Sequence, residues 1–585
     1  MSLSPAPPAL TPHPSNRGLV ARVSSWRGRR RAAPAWTIAV GLIALSITLP
    51  LTSVTILAAR GSGEVWPHLV QFVLPTALVQ TVLLILGVGG VSLVLGAGTA
   101  WLVTMYRFPG RTILDRLLVL PLSIPTYIVA YCYVDLLDYA GPVQSGVRAL
   151  GGFKSASDYW FPDVRSLGGA IFLMSAVLYP YVYLTARASF VQQSVCVLEV
   201  ARTLGETSIG AFWRVALPLA RPALAAGLAL VAMETLNDLG AVQHLGVQTL
   251  SASIYATWLQ RSSLPGAAQI AVVALVAVGL VLAAERAARG DSRYHHTTGR
   301  FRAIPFQDIE GVRGYLVMVA CALPFVFGFV VPILLLMRHA VVHLDLRALD
   351  GTFLAAAFNS ISLAAAVASV ATLVALVLGY AGRVASNGFI APALRMSGLG
   401  YAVPGTVLAL GVLIPLAAFD NWIDAAARSL IGISTGLLLS GTLAALVYAL
   451  VARFLSVALG SVTAGLERIS PHLDAAARTL GETAFSTLLR VHLPLLAPAL
   501  GAAALLVFVD TMKELPATLL LRPFNFETLA THVYGLTALE QFEQASLGAL
   551  AIVLVGLVPV LVLHRAITGG RPGSTPRGSN GEEGG

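Results

Sequence analysis

The chain has 585 residues, of which 56% are hydrophobic and only 11% charged. Soluble domains carry about 25% charged residues, so this composition excludes an ordinary soluble protein and favours a polytopic membrane protein. The formal net charge is +10, but the basic residues lie in short segments between apolar runs, a pattern that indicates membrane topology and argues against nucleic-acid binding.

Residues 1–33 are rich in Pro, Ser and Arg, and this composition predicts a disordered basic arm. The apolar run from Trp36 to about Ala58 is too long for the core of a signal peptide, so we expect an uncleaved first membrane helix. Similar runs, each long enough to span a bilayer as a helix, recur along the chain. The twelve predicted spans are 36–58, 78–104, 114–137, 168–190, 217–241, 267–286, 313–337, 356–381, 392–418, 433–456, 493–515 and 546–566.

The spans divide into two sets of six. We expect a first half over 34–290, a cytoplasmic linker over 291–312, a second half over 313–568 and a disordered tail over 569–585. Because each half contains an even number of spans, both halves have the same orientation in the membrane; an inverted repeat would require an odd number. The predicted fold is therefore all-α, with about twelve transmembrane helices arranged as two parallel six-helix repeats.

One polar stretch occurs in both halves. Residues 202–224 read RTLGETSIGAFWRVALPLARPAL and residues 478–500 read RTLGETAFSTLLRVHLPLLAPAL, with 14 of 23 positions identical at an offset of 276 residues. Arginines are concentrated in alternate loops, which the positive-inside rule assigns to the cytoplasm. Both copies, and both termini of the chain, are therefore predicted to be cytoplasmic.

Each copy has the pattern of a helical elbow. In the first, a short helix would run from Glu199 to about Leu204, and Gly205 permits the positive φ of a sharp corner. Pro218 and Pro494 follow, where we expect a membrane helix to restart, because proline is tolerated in a first helical turn.

The pattern E-A-A-x-x-x-G followed by L-P resembles the signature loop of ABC importer permeases, the membrane subunits of binding-protein-dependent uptake systems. In that family the loop forms the coupling helix, which docks on a cytoplasmic ATPase. In the second copy Ala475 stands at the position of Glu199, with Asp474 one residue earlier. The resemblance implies ATPase coupling for Glu199, Ala201, Arg202, Gly205 and Glu206 near 199–218, and for Asp474, Ala477, Arg478, Gly481 and Glu482 near 474–494.

A chain that carries both loops is most similar to the fused, two-half ferric iron permease family. The matching segments include PLSIPTYIVAY, METLNDLGAVQHLGVQTLSASIYATW, GYAVPGTVLALGVLIPLA and ELPATLLLRPFNFETLATHVY. The resemblance implies an inner-membrane permease that translocates ferric iron, receives it from an extracytoplasmic binding protein and engages two copies of a cytoplasmic ABC ATPase.

The sequence contains only two lysines, Lys154 and Lys513, and neither follows a glycine. A phosphate-binding loop of the form GxxxxGK[ST] is therefore impossible in this sequence. We expect no enzymatic site and no cofactor bound by this chain, with ATP used by a partner subunit.

Two acidic pairs lie at corresponding positions of the halves: Glu234 with Asp238, and Asp510 with Glu514. Residues four apart share a helix face, and Glu234 lies about 24 Å along the helix from Pro218. Intramembrane carboxylates indicate function, and a hard cation prefers oxygen ligands. We predict that these four acids line the translocation path, without assigning a metal site. They could instead satisfy helix ends or pair with an arginine, with Lys513 nearby to neutralise one of them. Arg187 and Arg453, at the inner ends of their helices, are expected to snorkel.

Other functions remain open from the sequence. The same machine could carry thiamine, a phosphonate or a polyamine. A gradient-driven secondary transporter is disfavoured by the parallel repeat and the two elbows. A membrane-embedded enzyme is disfavoured because no Ser/His or His/Asp/Glu cluster has usable spacing.

Overall fold

The computed structural model describes residues 34–192, 207–289, 307–342, 351–385 and 388–568. Across this part of the chain, helices dominate, and the strands Tyr106–Arg107 and Gln307–Asp308 form one parallel pair of two residues each. The predicted all-α class is confirmed. Residues 1–33, 291–306 and 569–585, which cover the predicted arm, most of the linker and the tail, lie outside the described residues.

The first half consists of long helices separated by short ones. Its α-helices are Pro34–Ala59, Val65–His68, Leu74–Met105, Arg111–Leu117, Thr126–Leu137, Pro142–Gly151, Leu167–Gln192, Ser208–Ala211, Leu217–Asn237, Gly240–His244, Leu250–Leu259 and Leu264–Arg289. The segments Leu69–Val73 and Phe212–Ala216 are π-helical turns, and Leu120–Ser123 and Ala156–Asp158 are 3₁₀ turns.

The second half repeats this arrangement. Its α-helices are Gly311–Phe325, Val331–Val342, Gly351–Val384, Ile390–Ser397, Gly405–Ile431, Leu443–Glu467, Pro471–Thr479, Ala484–Thr487, Leu493–Met512, Pro516–Leu521, Leu529–Ala538 and Phe542–Thr568. The segments Val326–Val330 and Leu488–His492 are π-helical turns, and Gly400–Ala402 is a 3₁₀ turn.

Among the described residues, 11 helices are long and apolar enough to cross a membrane, or up to 12 if a bent pair is counted as one span. The bent pair consists of Arg111–Ser123 and Thr126–Gly151, which meet at 94°. The predicted number of about twelve is consistent with this arrangement. The chain is a multi-pass membrane protein.

Two predicted spans begin about ten residues too early. We predicted 392–418 and 433–456, whereas the helices are Gly405–Ile431 and Leu443–Glu467. Pro404 is the cap that precedes the first of these helices. Val403 before it has an extended backbone, because the ring of a proline disfavours the helical conformation for the preceding residue. The apolar residues before Pro404 belong to the separate helix Ile390–Ser397, a break that hydropathy alone does not detect.

We expected a membrane helix to restart at the prolines after the two polar stretches, but in the structure the helix is already formed before them. Helix continues through π-helical turns at Phe212–Ala216 and Leu488–His492, each directly before a Leu-Pro pair. Proline lacks an amide proton and its ring crowds the carbonyl four residues earlier. A wider turn relieves that conflict without ending the helix.

The first long helix of each half packs against the other half. In Pro34–Ala59, the Ser53 hydroxyl donates a hydrogen bond to the Gly411 carbonyl at 2.7 Å. In the second half, the carbonyl of Phe327 accepts a hydrogen bond of 2.7 Å from the Tyr133 hydroxyl. The two hydrophobic cores accordingly contain residues from both halves, so the halves form one interlocked unit.

Candidate coupling segment and translocation cavity

The second copy of the repeated stretch forms a helix and a sharp turn. Helix Pro471–Thr479 begins at Ser470, whose hydroxyl accepts a hydrogen bond from the His472 amide. It ends at Gly481, which has φ +82°, and the Glu482 amide donates to the Ala477 carbonyl at 3.0 Å. Gly481 is the counterpart of Gly205, and this left-handed helix ending is the kind of corner that we predicted at Gly205. We call residues 470–487 the elbow.

The elbow helix has an inner and an outer face. Asp474 and Ala477 face the rest of the protein, and Ala477 is 5% exposed. Leu473 and Leu480 face outwards and are 41% and 83% exposed. The predicted coupling residue Arg478 is also exposed. The predicted coupling residues of this copy therefore lie on two different surfaces of the helix.

Asp474 fastens the elbow to two membrane helices. Its Oδ2 atom lies 2.8 Å from Nη2 of Arg383, and its Oδ1 atom lies 2.7 Å from Nε2 of His492. Burial of the Asp474 carboxyl raises its pKa, but hydrogen bonds from His492 and Arg383 outweigh burial and hold the pKa below its ordinary value. Arg383 also donates to the Ile469 carbonyl at 2.9 Å. The carboxylate thus sets the position of the elbow helix.

The predicted coupling residues of the first copy lie outside the described residues. These are Glu199, Ala201, Arg202, Gly205 and Glu206. The proposed asymmetry between Glu199 and Ala475 stays a prediction. In the described copy, Ala475 is exposed.

All four predicted path carboxylates line one cavity. Glu234, Asp238, Asp510 and Glu514 surround a cavity of about 110 Å³ between the two halves. The walls come from corresponding positions: at the offset of 276 residues, positions 177, 178, 234 and 237–240 of the first half match 453, 454, 510 and 513–516 of the second. The structure therefore brings together the acids that the sequence singled out.

Two of the acids cap short helices. The Oδ1 atom of Asp238 accepts hydrogen bonds from the amides of Ala241 and Val242 at 2.9 and 3.2 Å. Glu514 accepts from the amides of Ala517 and Thr518 at 2.8 and 2.9 Å. Asp238 and Glu514 therefore satisfy the free amides at helix N-termini while their side chains border the cavity.

The other two acids have side-chain partners. The Tyr401 hydroxyl donates to Oε1 of Glu234 at 2.6 Å, and Nζ of Lys513 lies 3.0 Å from Oδ1 of Asp510. The Glu234–Tyr401 contact joins the two halves. Sequence reasoning missed Tyr401. It lies 167 residues from Glu234 in the chain, so their contact depends on how distant segments pack together.

Arg453 does not snorkel, contrary to the sequence-based expectation. It lies in the middle of helix Leu443–Glu467, is 6% exposed and lines the cavity, with Nη1 3.6 Å from Oε1 of Glu514. Arg187 is also partly buried, and its Nε lies 2.6 Å from Oδ1 of Asp115. The sequence did contain a signal for this buried position, because Arg453 lies within a long apolar run. A side chain can snorkel only near a helix end.

A second cavity of about 310 Å³ adjoins the first and shares Tyr401, Asp510 and Lys513 with it. Its further lining includes Ser456 and Leu506. Along their helices, these residues lie closer to the elbow than Arg453 and Asp510 do. The two cavities thus extend from the four carboxylates towards the elbow.

Within the described ranges, no group of three or more His, Cys, Asp or Glu side chains is arranged to hold a metal ion. The carboxylates are distributed around the cavity walls and occupied by other partners. This arrangement suits transient contact with a passing solute better than storage of an ion.

An internally repeated bundle of membrane helices, with a cavity between its halves and a polar elbow, defines a membrane transport subunit. Residues 92–287 match the family described as the binding-protein-dependent transport system inner membrane component. The sulfate transport system permease protein CysT of Salmonella typhimurium (strain LT2) is 30% identical over 264 residues, covering 43% of this chain and 92% of that protein. The chain belongs to this family and is the permease of an ABC importer in the inner membrane.

A second relative spans nearly the whole chain. The Fe(3+)-transport system permease protein FbpB 2 of Haemophilus influenzae is 26% identical over 541 residues, covering 92% of this chain and 99% of that protein. Among solved structures, a bacterial alginate ABC transporter in complex with an alginate pentasaccharide-bound periplasmic protein has a TM-score of 0.32 and 18% identity, covering 40% of this chain and 85% of that chain.

Proposed function

We propose that this permease translocates ferric iron, delivered by an extracytoplasmic binding protein and driven by ATP hydrolysis in a partner subunit. The observation that carries the proposal is the convergence of four carboxylates from corresponding positions of both halves on one cavity. Carboxylate oxygens are ligands that hard cations prefer. The full-length similarity to a ferric iron permease supports the same cargo.

In the proposed orientation the elbow lies in the cytoplasm, together with both chain termini. The larger cavity, which extends from Asp510 towards the elbow, would then form the inner part of the path. Iron would meet Glu234 and Asp510 at the centre and leave on the elbow side. Because both acids already have a partner, a passing cation would exchange with Tyr401 and Lys513 instead of entering an empty binding site.

Each elbow would dock on one copy of a cytoplasmic ATPase. The described elbow presents Leu473, Leu480 and Phe485 outwards, with exposures of 41%, 83% and 62%, which suits insertion into an apolar groove. Asp474 faces inwards, so its role would be to hold the docking helix at a constant angle. Movement of the ATPase would then be transmitted through Arg383 and His492 to two membrane helices.

The test is uptake of radiolabelled ferric iron by cells expressing the permease with its binding protein and ATPase. The double variant Glu234→Gln with Asp510→Asn should lower uptake at least tenfold, whereas Glu540→Gln, which removes an exposed acid away from the cavity, should leave it unchanged. Sulfate, thiamine, a phosphonate and a polyamine are measured in parallel. Unchanged iron uptake in the double variant, or uptake of another solute in place of iron by the wild type, would overturn the proposal.

A further inference from the structure

Arg453 has hydrogen-bonding capacity that the protein does not use. Its side chain is 7% exposed and lines the central cavity. Among the described residues, neither Nε nor Nη1 has a hydrogen-bond acceptor, and both atoms are buried. The ring of Phe454 lies 5.5 Å from the guanidinium carbon, a contact that leaves the in-plane N–H groups free. Buried donors are almost always paired with protein or with ordered water, so these two leave room for a further partner at the cavity wall.

Glu514 balances the charge of Arg453 but does not use its hydrogen-bond donors. The nearest approach between the two is 3.6 Å, which is too long for a hydrogen bond. Both carboxylate oxygens of Glu514 already accept hydrogen bonds, from the Ala517 amide and from the amide and hydroxyl of Thr518, at 2.6 to 2.9 Å. Glu514 is therefore satisfied by the helix that it caps, while Arg453 is left with unused donors.

The basic residues that line the central cavity all come from the second half. At the offset of 276 residues, Arg453 and Lys513 replace Val177 and Asn237, and all four residues line the same cavity. Asn237 is used structurally, since its Oδ1 atom accepts a hydrogen bond from the Gly405 amide at 2.7 Å. One wall of the cavity thus carries two cations where the corresponding wall carries none.

We propose that this wall is a binding subsite for a small oxyanion, held by the guanidinium group of Arg453 and attracted by Lys513. A guanidinium presents parallel donors that match the oxygens of a carboxylate, phosphate or sulfate. Resting on the proposed function, the inference is that ferric iron crosses this cavity together with an oxyanion ligand: the carboxylates contact the metal and Arg453 contacts the anion.

The first test is equilibrium binding of labelled phosphate and sulfate to the full chain in lipid nanodiscs. The wild type should bind at least one of them, and Arg453→Gln should weaken binding about tenfold or more. The matched control is Arg428→Gln, which removes an arginine that is 63% exposed and lies away from the cavity. Absence of binding to the wild type, or equal binding by Arg453→Gln, would overturn the inference.

A second pair of variants separates anion binding from charge neutralisation and from misfolding. Glu514→Gln should retain oxyanion binding, and the double variant Arg453→Gln with Glu514→Gln should lack it although no buried charge is left unpaired. Restored binding in the double variant would show that Arg453 only balances Glu514. Arg453→Lys keeps the positive charge but loses the paired donors of the guanidinium, so this variant should bind the oxyanion with intermediate affinity.

Uptake measurements distinguish failure of this inference from failure of the proposed function. If the oxyanion accompanies iron, removal of phosphate and sulfate from the medium should lower iron uptake by the wild type but not the residual uptake by Arg453→Gln. Uptake of labelled sulfate or phosphate without iron would support the subsite and reject ferric iron as the cargo. Iron uptake that is equal in both proteins and independent of oxyanions would reject the subsite and leave the proposed function standing.

Discussion

Arg383, near the end of helix Gly351–Val384, lies 2.8 Å from the carboxylate of Asp474 in the elbow. The two residues are 91 positions apart in the chain, so the contact ties the elbow to a separate membrane helix. Their side chains are 16% and 15% exposed. In the proposed function, this ion pair would transmit movement between the elbow and the membrane helix.

Replacement of Arg383 should loosen the elbow. Arg383→Gln leaves Asp474 with His492 alone and should cost about 2 kcal/mol of local stability, less than for a fully buried pair because both side chains retain some contact with water. Iron uptake should fall about tenfold, whereas the ATPase activity of the partner subunits should persist. Arg428→Gln is the control, because Arg428 pairs with Asp424 outside the elbow, at a position that is 63% exposed. Equal loss in both variants would contradict the role given to Asp474.

The elbow contact should also depend on pH. Because the pKa of Asp474 lies below its ordinary value of 3.8, its contribution to stability is fully present above that value and is lost as the pH falls through the folded-state pKa. Hydrogen-exchange protection of residues 471–482, corrected for intrinsic exchange rates, should therefore be constant down to about pH 5 and decrease towards pH 3. Asp474→Asn should remove this dependence. A decrease confined to the range above pH 5 would assign it to another group.

A side chain at Gly481 should be destabilising because of the backbone conformation alone. A Cβ atom at Gly481 would meet no other atom within 4 Å, but the residue has φ +82°. Gly481→Ala should therefore cost about 1–2 kcal/mol, which is the penalty of the left-handed conformation, and should weaken ATPase binding to the elbow. Gly501→Ala, at an equally open site with ordinary helical φ, should be neutral or stabilising. The same substitution at Gly205 tests whether the first elbow contributes equally.

Two glycines permit the interlocking of the halves. A Cβ atom would lie 2.1 Å from the Ala176 carbonyl oxygen at Gly328 and 2.4 Å from the Pro50 carbonyl oxygen at Gly411. Because both obstacles are backbone atoms, Gly328→Ala and Gly411→Ala should each force the helices apart and destabilise the protein by about 1–3 kcal/mol through overpacking. The thermal unfolding temperature in detergent should fall accordingly. Gly90→Ala has open space around it and should behave like the wild type. Unchanged melting of both variants would show that the first helices are not held this closely.

The sequence predicted the fold class and the approximate number of spans, because the length and apolarity of each run are local properties. It also identified the four carboxylates, which stand out as charges in apolar surroundings. Span boundaries near Pro404 were wrong because the neighbouring apolar residues belong to two separate helices, Ile390–Ser397 and Gly405–Ile431. The continuation of helix through π-turns before Pro218 and Pro494 could not be read from proline alone, since a proline can end, start or deform a helix.

By itself, the sequence determined that the chain is a duplicated membrane permease with a polar elbow, because repeats, hydropathy and motif spacing are written along the chain. Only the tertiary structure decided what surrounds the acids: Tyr401 beside Glu234, Arg453 inside the cavity and Asp474 turned towards Arg383. These neighbours come from helices far apart in sequence, and their contacts arise from how the helices pack. For the same reason, the sequence does not show that Nε and Nη1 of Arg453 have no acceptor among the described residues, because this depends on how the helices pack.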